Sequence, residues 1–172
     1  MVHTSKNSQL KREDVIVLLA IITIFIILAD QTAKYIVANW VGFGKMKPVI
    51  ENFFYITNCK NYGAAWGILQ DYRYLFITAT VFAMCFMIYL MIKVKSKLFR
   101  YSVAFVMGGA IGNLIDRIKD GGVVDFLDFY FGRYHYPTFN IADIFIVIGT
   151  IFLIYYLIFN DCEKNKKNKE LV

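Results

Sequence analysis

The chain has 172 residues, 58% of them hydrophobic and 17% aromatic, with 19 Lys and Arg against 13 Asp and Glu for a formal net charge of +6. One domain fits that length, but a soluble domain of this size does not carry so much apolar surface, so the composition points to the membrane class. The positive charge does not point to nucleic acid, because the basic residues cluster beside apolar runs and form no stripe with interleaved aromatics.

A helix that crosses the hydrocarbon core needs about 20 mostly apolar residues. The first such run, Val15–Ala29, follows a basic start, which is also the pattern of a secretory signal peptide. No small-x-small cleavage pattern closes it. It ends instead in "ILADQTAK", and a helix continued past Asp30 places Asp30 and Lys34 on one face, where they can pair. The expectation is a retained first span over about 15–33.

Residues 40–70 follow as a long β-rich loop. Val49, Ile50 and Phe53 to Ile56 form a β-prone run bounded by Pro48 and Asn58, and the aromatics suit the membrane interface. Further spans are expected over about 74–92, 98–116 and 141–159. The third carries "MGGAIGN", in which Gly108 and Gly112 share a helical face and let a neighbouring helix approach closely. No repeat or linker divides the chain, so 1–172 reads as one membrane-embedded domain. The fold class expected is an α-helical integral membrane protein of four transmembrane helices with a small extracytoplasmic β-sheet.

Charge sets the expected orientation. Residues 1–14, 93–100 and 160–172 hold 11 of the 19 Lys and Arg, which by the positive-inside rule puts both termini and the "KVKSKLFR" turn in the cytoplasm. Both long loops then face outward. Cys59, Cys85 and Cys162 fall in three separate segments, and His3 and His135 on opposite sides of the membrane, so neither a disulfide nor a thiolate or imidazole metal site is indicated.

On this topology Asp30, Asp116 and Asp143 all lie at the outer ends of helices, while Asp125 sits in the loop between the third and fourth spans. Ionisable residues at membrane depth are costly, and they mark function by default. Two carboxylates held close in a low-dielectric site share one proton, one acid charged and the other neutral. That is the requirement for metal-free aspartic peptidase chemistry, in which one acid takes a proton from the attacking water and the other donates to the carbonyl oxygen.

Taken singly, each aspartate also reads as a helix cap. Asp120 and Asp128 read as solvated loop charges, and Asp116 with Arg117 as a local ion pair. Spacing leaves the working pair open among Asp116, Asp125 and Asp143, and membrane position favours Asp116. A proton-coupled carrier would also hold intramembrane acids, but near the midplane and with internal repeats. Neither is visible.

These segments resemble the lipoprotein signal peptidases, or signal peptidase II: "DQTAK" at 30–34, "NYGAAWG" at 61–67, "GGAIGNLIDR" at 108–117, "VVDF" at 123–126 and "FNIAD" at 139–143. The resemblance implies a peptidase of the bacterial cytoplasmic membrane with four helices and an outer β-cradle. Such enzymes cut signal peptides from prolipoproteins before a diacylglyceryl-modified cysteine, and globomycin inhibits them. It further implies Asp125 and Asp143 as the catalytic pair, with Asp30, Lys34, Asn61, Gly63, Asn113, Asp116, Arg117 and Asn140 in support. No cofactor or metal is implied. The expected partners are prolipoproteins and membrane lipids, not nucleic acid, and the expected state is a monomer. Ile144 and Trp66 depart from the family's usual serine and phenylalanine. The glycine-faced third helix is expected to wall the groove that holds the acyl chains.

Overall fold

The structure, a computed structural model, describes the backbone of residues 2–63 and 68–169 and the side chains of residues 13–63 and 68–159. Trp66 and the side chains of Cys162 and His3 lie outside what the structure describes. The elements run α1 (Val2–Trp40), β1 (Met46–Ile50), β2 (Phe54–Asn61), α2 (Arg73–Lys93), α3 (Lys97–Asp120), β3 (Val123–Phe131), β4 (Tyr134–His135) and α4 (Ile141–Lys169). All four helices are long and apolar enough to cross a membrane.

Helix α3 is the axle of the bundle, packing against α1, α2 and α4. It is the helix of small residues, and close approach is what they supply. Gly112 faces the carboxylate of Asp30, and a Cβ built there would stand 2.6 Å from Asp30 Oδ2. Gly108 meets Ile26 of α1 and Gly109 meets Ala142 of α4 in the same way. The glycine face is therefore consumed by helix packing. Helix α2, by contrast, buries none of its residues and is apolar all round, as a helix facing lipid should be.

Gly121 ends α3 in the left-handed conformation (φ 82°), donating its N–H to Arg117 O, and turns the chain directly into β3. The four strands form one antiparallel sheet in the order β1-β2-β3-β4. The expected β run over 49–56 is in fact a hairpin, with Asn52 at positive φ in the turn between β1 and β2. The segment carrying Asp125, expected as a loop, is a nine-residue strand paired to β2 with Cys59 opposite Asp125. Val37 and Val41 at the end of α1 pack on Phe126 of β3, which seats the sheet on the bundle. Stacked rings of Phe54, Phe129 and Phe139 tie β2 and β3 to the segment that leads into α4.

The sheet thus sits at the bundle end where α1 and α3 finish and α4 begins, the end that carries Asp30, Asp116 and Asp143. Asp120 is exposed, as expected for a solvated charge. Asp128 is not: it is 3% exposed, accepts a 2.6 Å contact from His135 Nε2, and lies beside Tyr130, whose ring stacks on the imidazole.

Candidate active site

The polar centre is built in two connected layers. In the deeper one, Lys34 Nζ reaches Asp30 Oδ2 at 2.7 Å, Asp116 Oδ2 at 2.8 Å and Asn113 Oδ1 at 3.0 Å. Its three ammonium protons are all used. One turn separates Asp30 from Lys34 on α1, as the sequence suggested; Asp116 arrives from α3. Asp30 Oδ1 also accepts the N–H of Ala142, which ties α1 to the start of α4. Asp116 Oδ2 accepts the N–H of Val124 and fixes the base of β3, while Oδ1 accepts from Gln31 Nε2 at 2.9 Å. Two buried carboxylates around one ammonium are tolerable at this depth because every charge is paired and hydrogen-bonded.

Asp116 therefore does not pair with Arg117, correcting that expectation. Neighbours in a helix point about 100° apart, and only residues three or four apart face one another. Arg117 donates instead to the carbonyls of Asn113 and Gly63 at 3.4 Å each, with its guanidinium over the ring of Phe76.

The upper layer holds Asp125 and Asp143, linked through two asparagines. Asn140 Nδ2 donates to Asp125 Oδ1 at 2.7 Å and to Asn113 Oδ1 at 3.1 Å. Asn113 Nδ2 donates to Asp143 Oδ1 at 2.8 Å. Asn113 is thus the hinge between layers, because its oxygen accepts from Lys34 while its nitrogen holds Asp143. Asn61 Nδ2 donates to Asp125 Oδ2 at 3.1 Å, and Asn61 Oδ1 accepts the N–H of Gly63.

Local sequence explains the placement of Asp143. Asn140 Oδ1 accepts the Asp143 N–H, and Asp143 Oδ2 accepts the Asn140 N–H, a reciprocal box that starts α4. The cap expectation is met, and the carboxylate that closes the box keeps Oδ1 for Asn113. Asp125, only 2% exposed, is held by strand register. Burial first, then the charge of Asp143, pushes its carboxyl up to about 7, against the lowering effect of the Asn61 and Asn140 donors and of Lys34. Cys59, across the strand pair, donates its thiol to Asp125 O and lies 3.4 Å from the hydroxyl of Thr138, and burial raises its pKa, so it is a packed thiol and not an activated nucleophile.

Asp125 and Asp143 open onto one cleft of about 310 Å³, bordered by Asn61, Gly63, Asn113 and Arg117 on one side and by Tyr136 to Phe139 and Val147 on the other. Of the ten residues singled out from sequence, Asn61, Gly63, Asn113, Arg117, Asp125 and Asp143 line the cleft. Asp30, Lys34, Asp116 and Asn140 lie beneath it, joined by hydrogen bonds. Sequence reasoning missed Gln31 and the segment Tyr136 to Phe139. Gln31 had a signal, standing between two residues already chosen; of the segment only Phe139 had one, in the 139–143 match, and Tyr136 to Thr138 reach the cleft through pairing of this segment with β3. No group of three or more potential metal-ligating side chains occurs among the described residues.

Membrane-crossing helices that gather amide-held carboxylates at one open end belong with the membrane aspartic peptidases. The comparisons with known proteins take this further. A family model described as signal peptidase (SPase) II matches residues 22–159. The lipoprotein signal peptidase of Bacillus pumilus (strain SAFR-032) is 42% identical over 152 residues, covering 87% of this chain and 96% of its own. That of Caldanaerobacter subterraneus subsp. tengcongensis is 45% identical over 141 residues, covering 81% and 94%. A solved bacterial membrane enzyme, determined by the in meso method, superposes with a TM-score of 0.79 at 36% identity, covering 86% of this chain and 91% of that one. The chain belongs to the signal peptidase II family and is an aspartic peptidase that removes signal peptides from prolipoproteins.

Proposed function

We propose that Asp125 and Asp143 are the catalytic pair, acting on prolipoproteins whose cysteine already carries a diacylglyceryl group. The observation that carries this is the bridge through Asn140 and Asn113, which holds the buried Asp125 and the half-buried Asp143 on one cleft while Asp30 and Asp116 are both spent on Lys34. Asp143 lies in the first turn of α4, where the positive end of the helix favours its charge. Asp125, with its raised pKa, holds the shared proton near neutrality.

Asp143 takes a proton from the water as its oxygen bonds to the scissile carbonyl carbon, and Asp125 gives its proton to the carbonyl oxygen. Asp143 then returns its proton to the amine nitrogen as the carbon–nitrogen bond breaks. Asp125 recovers a proton from the collapsing diol, so the pair ends as it began. Lys34, Asn113 and Asn140 position the acids. No metal or cofactor takes part.

The Lys and Arg asymmetry supports an orientation with both termini in the cytoplasm and the cleft at the outer face of the bacterial cytoplasmic membrane. A signal segment and a lipidated cysteine both lie there already, so the lipid's contribution is chiefly orientation of the scissile bond. The working unit is taken to be a monomer. Globomycin is expected to inhibit by occupying the cleft. Purified protein incubated with diacylglyceryl-modified and unmodified forms of one precursor, with product masses measured, tests the reading. The lipidated form should be cut before its cysteine and the unmodified form cut very slowly; equal rates would overturn lipid recognition.

A further inference from the structure

Away from the polar centre, α1 and α2 flank α3 with little direct contact between them. They leave a groove of about 380 Å³ floored by α3 and almost wholly apolar. Ile16, Ala20, Thr23 and Ile27 form one wall at helical spacing, Ala104 and Ile111 the floor, and Ile88 and Met91 the other wall. Thr23, its one hydroxyl, is occupied by donating to Ala104 O at 3.3 Å. A second pocket of about 180 Å³ shares Ile16, Leu19, Ile88 and Met91 with the first, and carries the groove down to Arg100.

Two features say what fits. The stretch from Ile111 to Arg100 spans 11 residues of helix, roughly 16 Å at 1.5 Å per residue, about half of a ~30 Å hydrocarbon core. Its depth is one leaflet. At its foot stand Arg100 and the exposed Lys93, Lys95 and Lys97, and no acidic residue occurs between Asp71 and Asp116. Arg100 Nε is committed to Val94 O at 3.1 Å, which aims the guanidinium. Glu13 and Asp14 of α1 are the acids at this end among the described side chains, and neither forms an ion pair with Arg100. Basic residues at the mouth of an apolar crevice between helices are the pattern that recognises anionic lipid headgroups.

We infer that the α1–α2–α3 groove is a binding site for an anionic phospholipid of the leaflet opposite the carboxylates, one acyl chain lying between Ile16 and Ile111 and the phosphate meeting Arg100. The lipid is a resident of the groove, distinct from the substrate at the cleft, and the inference stands whether or not the catalytic assignment does. The two methionines in the lining, Met91 and Met107, suit a chain of variable conformation, because unbranched thioethers repack at small cost.

The test is lipid retention by the full chain purified in detergent, read by native mass spectrometry after titration with dipalmitoyl phosphatidylglycerol or dipalmitoyl phosphatidylcholine. Wild type should hold one phosphatidylglycerol about tenfold more tightly than phosphatidylcholine. R100Q should lose most of that preference while still holding a lipid. A20F, which fills the groove from an outward-facing position, should retain neither; I24W, on the same wall, makes the same test if A20F does not fold. Equal retention of the two lipids by wild type, or undiminished retention by the folded groove-filling variant, would overturn the proposal. So would a groove-filling variant that keeps its lipid but no longer cuts a lipidated precursor, since the groove would then belong to the signal-peptide helix.

Discussion

Asp125→Asn changes one titrating oxygen for an amide and nearly preserves shape, so its effect on stability isolates the carboxyl's environment. In the native protein this carboxyl is raised from 3.8 to about 7. Native protein therefore binds more protons here than unfolded protein does across that interval, and stability falls as pH rises. The contribution is fully present below pH ~4 and is lost as pH passes through about 7. Three pKa units at about 1.36 kcal/mol each make the loss about 4 kcal/mol. The asparagine variant does not titrate, but it sets an amide donor against Asn61 or Asn140, both of which already donate at this position. One mismatched contact costs roughly 1–3 kcal/mol at every pH. The expected result is a variant less stable than wild type at pH 4 and at least as stable at pH 8. At roughly 2–4 °C per kcal/mol for a chain of this size, the difference in Tm should move in the variant's favour by about 8–16 °C between the two. Thermal unfolding in one detergent at pH 4, 6 and 8 measures it. A difference that stays constant across that range would show that Asp125 does not titrate there, and would refute the assignment of the shared proton.

Lys34→Met leaves Asp30 and Asp116 buried without their cation and should cost about 3–5 kcal/mol, seen as a large fall in Tm; an unchanged Tm would contradict the pairing explanation. Gly112→Ala drives a methyl to within 2.6 Å of Asp30 Oδ2 and should lower both Tm and activity, whereas Gly132→Ala, in open space at positive φ, should cost only about 1 kcal/mol and leave cleavage intact. EDTA should not change the cleavage rate; activity lost on chelation and restored by zinc would rule out a mechanism that rests on carboxylates alone.

Local spacing made part of this molecule legible. Asp30 and Lys34 are four apart on a helix, so their pairing follows from helical geometry, and the four spans follow from run length. The strand that carries Asp125 was not legible as a strand. It sits between two long helices, follows two glycines, and mixes two aspartates among its apolar residues; pairing with β2 is what makes it extended, and that pairing lies more than sixty residues away in sequence. Asp128 was misread for the same reason. Its partner is His135, across a hairpin that the sequence did not announce, and burial under Tyr130 turned an apparent solvent charge into an interior one. Arg117 was misread by adjacency, since neighbours in a helix diverge. Asp116 drew attention for its membrane position; it is buried, but the structure commits it to Lys34.

The choice of pair is tested most directly by cleavage of a diacylglyceryl-modified prolipoprotein by purified wild type, D125N, D143N and D116N, each first shown to be folded. D125N and D143N should each lose at least ~100-fold in rate, the scale of general acid–base assistance, while D116N keeps measurable activity and loses chiefly stability. A folded D125N that cuts at near the wild-type rate beside an inactive D116N would contradict the account.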